Sequence, residues 1–99
     1  MPVSSTADID TTEAARLIKR LCTHWAHKFA VVFDAESGLV PFDDATTARF
    51  RAGPERLHVS VEAMDAATLE RFQGVVASHL QRMARAGELS IHWHPATAG

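Results

Sequence analysis

The spacing of hydrophobic residues changes period twice along this chain, and that constrains the fold more than any other feature. Ala14, Leu17, Ile18, Leu21 and Trp25 recur at steps of three and four, the signature of one buried stripe on a helix. From Phe29 the step drops to two. Phe29, Val31 and Phe33 alternate with Ala30, Val32 and Asp34, and the alternation is longest in "LHVSVEA", where Leu57, Val59, Val61 and Ala63 share one side. After Asp65 the helical step returns through Leu69, Phe72, Val76, Leu80 and Met83. A stripe of one period cannot bury its apolar set in the other conformation, so two helices must flank a set of strands.

Punctuation between these runs fixes the order of elements. "SSTADIDT" alternates around Ile9 and reads as a first strand. Asp10 with Glu13 three residues on reads as a capping box, which predicts a helix from Thr11 to Lys28. "DAESG" supplies a turn before "LVPF", where Pro41 suggests an edge or a bulge, and "DDATT" and "GPE" turn the chain into "ARFRA" and "LHVSVEA". Asp65 caps the second helix, with Gly87 as its expected C′ residue. In "ELSIHWH", Leu89, Ile91 and Trp93 point one way and Ser90, His92 and His94 the other. The expected order is β-α-β-β-β-β-α-β. Its simplest packing is an α+β two-layer sandwich, with a mostly antiparallel sheet of five to six strands and both helices on one face. If Phe29, Val31, Phe33 and Leu39 face the helices, then Val32, Val40 and Phe42 lie on the bare face and favour a homodimer through it.

Ninety-nine residues suffice for one domain, residues 1–99, burying roughly 10,000 Å² without disulfide or metal. A net charge of −2, with no Lys or Arg run, offers nothing general to nucleic acid. The longest apolar run, Phe29 to Phe33, is too short to span a bilayer, and "MPVSSTADID" lacks the basic start and apolar stretch of a secretory signal. Cys22 is the single cysteine. Together these place the protein in the cytoplasm, with neither nucleic acid nor membrane as partner.

The stretch "LCTHWAHK" gathers a cysteine, two histidines and a lysine, but a helix turns about 100° per residue. With Leu21 at 0°, Cys22 falls near +100° and His24 near −60°, about 160° apart, so one ion cannot take both. Cys22 is then a small core hydrophobe, since no cationic cluster shares its side to hold a thiolate. His24 and His27 share a flank with Glu13 and Arg20 and are spaced to bind one metal together. His79 lies at the margin of the second stripe beside Phe72 and Met83. Helices lying side by side would let His24, His27 and His79 meet as a metal or haem site. The plainer account is that each ring bonds a nearby carbonyl or carboxylate and packs. His92 and His94 form a second H-x-H candidate, joined by His58 and Glu62 if the last strand neighbours "LHVSVEA". Asp43 and Asp44 read as turn starters. Phosphate loops and nucleophile elbows are absent, which leaves as the weakest reading a small hydrolase or isomerase with His24 or His27 as base, poised by Glu13.

"LCTHWAHKFAVVFDAESGLVPF", "LHVSVEAMDAATLERFQGVVASHLQRMA" and "ELSIHW" resemble the bacterial family known as domain of unknown function 2218. The motifs that carry the resemblance are H-x-x-H-K at His24, His27 and Lys28, V-x-F-D at Val31 to Asp34, and H-L-x-R at His79 to Arg82. The chain departs from the family around "MARAGEL", where Met83, Ala86 and Gly87 stand in place of an aromatic and a further acidic residue. The resemblance implies no established activity and no known cofactor, but an iron context: related domains occur beside flavin-dependent siderophore-interacting reductases. It therefore implies a non-catalytic accessory module that meets such a reductase or a ferric siderophore. His24, His27, Lys28, His79 and Arg82 are its candidate ligand-binding residues.

Overall fold

The computed structural model describes residues 2–84 and 88–96. Within them the order is β1 (Val3–Asp10), α1 (Ala14–Trp25), β2 (Val32–Phe33), β3 (Ser37–Pro41), β4 (Thr47–Ala52), β5 (Arg56–Ala63), α2 (Ala66–Met83) and β6 (His94–Ala96). The strands form one antiparallel sheet in the order β2-β3-β4-β5-β1-β6. The expected α+β class and element order are those observed. Among the described residues no helix is long and apolar enough to cross a membrane.

The alternation in "LHVSVEA" becomes the centre of the sheet. All eight residues of β5 pair with β1, from Val3 opposite Ala63 to Asp10 opposite Arg56. Leu57, Val59, Val61 and Ala63 are fully buried under the helices, with Ile9 and Ala7 from β1 and Phe50 and Ala48 from β4. The stripe Ala14, Leu17, Ile18, Leu21 and Trp25 closes that core, and Cys22 joins it. On α2 only Val76 and Leu80 are fully buried, while Leu69, Phe72 and Met83 pack partly covered against them. Ser5 is a buried hydroxyl on the inner side of β1, and the Gln73 amide from α2 donates to it. A buried polar group thus keeps its partner.

Several boundaries differ from the sequence reading, each for a local reason. Helix α1 begins at Ala14 rather than Thr11, and no capping box forms. Asp10 stays in the strand opposite Arg56, whose Nε lies 3.4 Å from its carboxylate, and the Thr11 N–H donates to the Glu55 carbonyl. The ladder therefore outlasts the helix signal. Glu13 turns its carboxylate to Arg16 instead. At the other end, α1 stops at Trp25 rather than Lys28, because the Lys28 and Phe29 N–H groups both return to the Trp25 carbonyl, at 2.9 Å each. That turn shortens the strand expected from Phe29 to the pair Val32–Phe33.

The face assignments across Pro41 are also corrected. Val40 is fully buried beneath α1, whereas Leu39 points outward opposite Val32. Phe42 packs on the helix side against Trp25. Of the three apolar residues expected on the bare face, only Val32 remains there. Pro41 is tolerated because β2 ends before reaching it, which leaves its missing N–H without a ladder to serve.

Helix α2 starts as expected, with the Asp65 carboxylate accepting from the Thr68 N–H at 2.7 Å; this bond holds the Asp65 carboxyl below its ordinary range. It ends at Met83, whose carbonyl accepts from Arg16 Nη2 at 2.9 Å. Ala86 and Gly87, the expected helix end and part of the departure from the family pattern, lie outside the described residues. The last strand is shorter than "ELSIHWH" suggested. Leu89, Ile91 and Trp93 still pack partly buried against the core, with the Leu89 N–H bonded to Gln81, but pairing starts only at His94, opposite Thr6.

Candidate functional site

The end of α1 and the middle of α2 enclose a cleft of about 350 Å³. Trp25, the last residue of the α1 stripe, forms its floor. The Trp25 ring meets Phe42 edge-on at 5.1 Å between centroids and His79 at 5.0 Å. Phe42 in turn packs edge-on against Phe29 at 5.1 Å and tilted against Phe72 at 4.8 Å. Such edge and offset arrangements suit ring quadrupoles and hold aromatic groups in fixed orientation. Phe42 is held there by the turn that follows β3. Its N–H donates to the Thr46 carbonyl at 2.8 Å, and Asp43 caps the Ala45 N–H at 2.8 Å. The bend read at Asp43 is therefore present, and its hydrogen bonds keep the Asp43 carboxyl below the usual range.

Polar groups stand at the rim. His24 comes from the last turn of α1, and His27 and Lys28 from the turn beyond it; all three are exposed and line the cleft. His79 is half-buried on α2, its ring centroid 5.5 Å from that of His24. Its Nδ1 lies 2.7 Å from the Val75 carbonyl, which can only accept. The proton must sit on Nδ1, so the neutral ring keeps Nε2 as an acceptor. A second depression of about 440 Å³ adjoins the first, shares His24 and His27 with it, and adds Lys19 and Arg20. Among the described residues no carboxylate lines either one. The protein is acidic overall, yet Lys19, Arg20 and Lys28 make this flank cationic.

The structure thus brings His24 and His79 together across the two helices and sets His27 and Lys28 beside them. Arg82 is exposed in the last turn of α2 and does not line the cleft. Among the described residues no three His, Cys, Asp or Glu side chains are grouped to hold one metal ion. Cys22 is buried on the far side of α1, and burial pushes its thiol up to about 11. Glu13 shares an angular position with His24 but lies eleven residues earlier, about 16 Å along the axis at helical rise; paired with Arg16, it does not poise either histidine. The four-residue sheet patch does not form as expected. Strand β6 neighbours β1, not β5, so His58 pairs with Asp8 of β1 at 2.6 Å instead of meeting His92. That hydrogen bond is the chief cause holding the Asp8 carboxyl below its usual range.

Sequence reasoning singled out the imidazoles and missed the aromatic walls. Trp25 and Phe72 were read as core, and Phe42 was placed on the wrong face. The available signal was that Trp25, Phe29 and Phe42 all stand at element ends, where a ring can line an opening while packing.

Comparison with known proteins agrees with this architecture. The chain is similar to the protein in the NMR structure of PA4090 from Pseudomonas aeruginosa, with 40% sequence identity and a TM-score of 0.80. The match covers 95% of this chain and 97% of that one. No curated protein matches. Residues 6–94 match the family described as an uncharacterized protein conserved in bacteria (DUF2218). With nearly its whole length matched, this chain belongs to the DUF2218 family.

Proposed function

We propose that this protein is a non-catalytic cytoplasmic binding module whose cleft between α1 and α2 takes a planar aromatic anion, in the setting of iron–siderophore handling. The observation that carries the ligand class is an aromatic-walled cleft rimmed by His24, His27, Lys28 and His79 with no carboxylate among its described lining residues. Phe29, Phe42 and Phe72, only partly buried, offer ring surface to a flat molecule above the Trp25 floor. The rim supplies donors to its negative groups. Aryl siderophores and their ferric chelates combine a flat ring with negative charge, and their iron context comes from the family resemblance. A flavin-dependent siderophore reductase is the protein partner that this context suggests.

The test is a titration of the isotope-labelled protein with 2,3-dihydroxybenzoate and its ferric complex, with calorimetry against a siderophore reductase alongside. Saturable perturbation at His24, Trp25 and His79, weakened at least about tenfold (~1.4 kcal/mol) by His79→Ala, is the expected result. Spectra unchanged by millimolar ligand, together with no heat from the reductase, would remove the reading.

A second reading rests on the His24–His79 pair. A histidine that ligates metal usually donates its other N–H to a carbonyl or carboxylate, as His79 does to Val75. Two imidazoles could then hold haem iron or a divalent metal whose remaining ligands come from the bound molecule. Titration with hemin and with zinc checks it. A Soret shift or zinc-dependent stabilisation lost in both His24→Ala and His79→Ala supports it, and indifference of the wild-type protein to both refutes it.

A further inference from the structure

The outer face of the sheet, away from the helices, carries a second concavity of about 640 Å³ that the proposed function does not use. Antiparallel register places Val32, Leu39 and Arg49 in one row across β2, β3 and β4, directly opposite one another in turn. Arg51 follows two residues along β4 on the same face, opposite Ser37 on one side and His58 on the other. Both arginines are exposed, and among the described residues neither has an ion-pair partner. Asp34, which lines the concavity, and Asp8 are already engaged. Asp34 accepts from the N–H groups of Glu36 and Ser37 and from the Ser37 hydroxyl, and Asp8 is paired with His58. Two guanidinium groups therefore stand beside an apolar rail without an ion-pair partner among the described residues, the exposed Glu62 of the same face lying diagonally from Arg49, opposite Thr47.

We infer that this face binds a small amphipathic carboxylate, with the acid group held by Arg49 and Arg51 and the apolar tail lying over Leu39 and Val32. Arginine's planar fork matches a carboxylate in a bidentate contact, which a point charge does not. Strand spacing sets the tail length: from Arg49 across Leu39 to Val32 is two strand separations, about 10 Å. A tail of that length covers Val32, which is 67% exposed, and removes that apolar surface from water. Acetate carries the charge without the tail, so the two probes separate the contributions.

Octanoate is the probe, followed by two-dimensional NMR of the labelled full chain, with acetate at equal concentration as control. Saturable shifts at Val32, Leu39, Arg49 and Arg51, at least tenfold weaker for the Arg49→Gln/Arg51→Gln double variant and for acetate, are expected. Both arginines are exposed, and a well-dispersed variant spectrum shows that the fold survives. Leu39→Ser should weaken octanoate and leave acetate unaffected. Three outcomes overturn the inference: no shifts at millimolar octanoate, shifts centred on His24, Trp25 and His79, or undiminished binding by the double variant. Each can occur whether or not the cleft binds an aromatic anion, so the two readings fail separately.

Discussion

On the helix side of the sheet, polar groups come singly and most of their atoms find a protein partner: Ser5 meets Gln73, His79 meets its own helix carbonyl, and Arg16 meets Glu13 and Met83 through Nε and Nη2, leaving only its buried Nη1 unpaired among the described residues. On the outer side, Arg49 and Arg51 have no ion-pair partner among the described residues, while Asp8 and Asp34 are held by their own neighbours. Burial explains the contrast. An unpaired polar atom in the core costs about 1–3 kcal/mol, so inner positions are mostly resolved within the chain. Exposed guanidinium groups cost little to leave open and remain available for ligands. The cleft between the helices lies between these regimes, with packed aromatic walls and a solvated rim. Disturbing its walls should destabilise the protein, whereas disturbing its rim should alter binding alone.

The sharpest way to break this contrast is Trp25→Ala. Trp25 is 4% exposed and contacts the rings of Phe42, Phe50 and His79. Its removal should cost about 3–5 kcal/mol in urea unfolding. A loss below 1 kcal/mol would mean the cleft floor is not part of the core.

Gly38→Ala comes next. A methyl group there would sit 2.6 Å from Cys22 Sγ and 3.3 Å from Ile18 Cγ2, an overpacking worth about 1–3 kcal/mol. Cys22→Ala removes the nearer atom, so the double variant should be more stable than the two single losses predict. Strict additivity in that cycle would place the strain elsewhere.

A third test is silent at neutral pH. The Cys22 thiol is raised from 9.0 to about 11 by burial, so the folded state holds its proton more tightly than the unfolded chain. Its contribution to stability is fully present below pH 9 and lost as pH rises through about 11. Thermal melts should fall across that window more in the wild type than in Cys22→Ala. At pH 8 a thiol reagent should react only on unfolding, and rapid labelling of native protein would contradict the burial.

The smallest effect sharpens the comparison from the other side. Arg49→Gln and Arg51→Gln should change stability by no more than about 0.5 kcal/mol, as exposed substitutions do. A larger loss would show that these arginines hold the sheet together rather than face a ligand.

Much of this architecture was legible because hydrophobic period and conformation are tied by geometry. The stripe from Ala14 to Trp25 and the alternation from Leu57 to Ala63 could bury their apolar sides in only one way, and both do. The same wheel separated Cys22 from His24. It failed for Glu13, because angle alone says nothing about distance along the axis. The expectation of Leu39 inward and Val40 outward came out inverted because a short strand beside Pro41 carries too few residues to fix its register. The cleft's imidazoles could be named from the sequence, whereas its aromatic lining depended on how three element ends converge.

The order of residues by itself determined the eight elements, the stripes they bury and the two-layer class, since these follow from side-chain period and the need to remove apolar surface from water. Only the tertiary structure decided that β1 would lie between β5 and β6, that His58 would meet Asp8, and that His24 would stand over His79. Those pairings join residues up to 92 positions apart in sequence (4 to 96), and the packing of the whole chain selects among edges and faces that are locally equivalent.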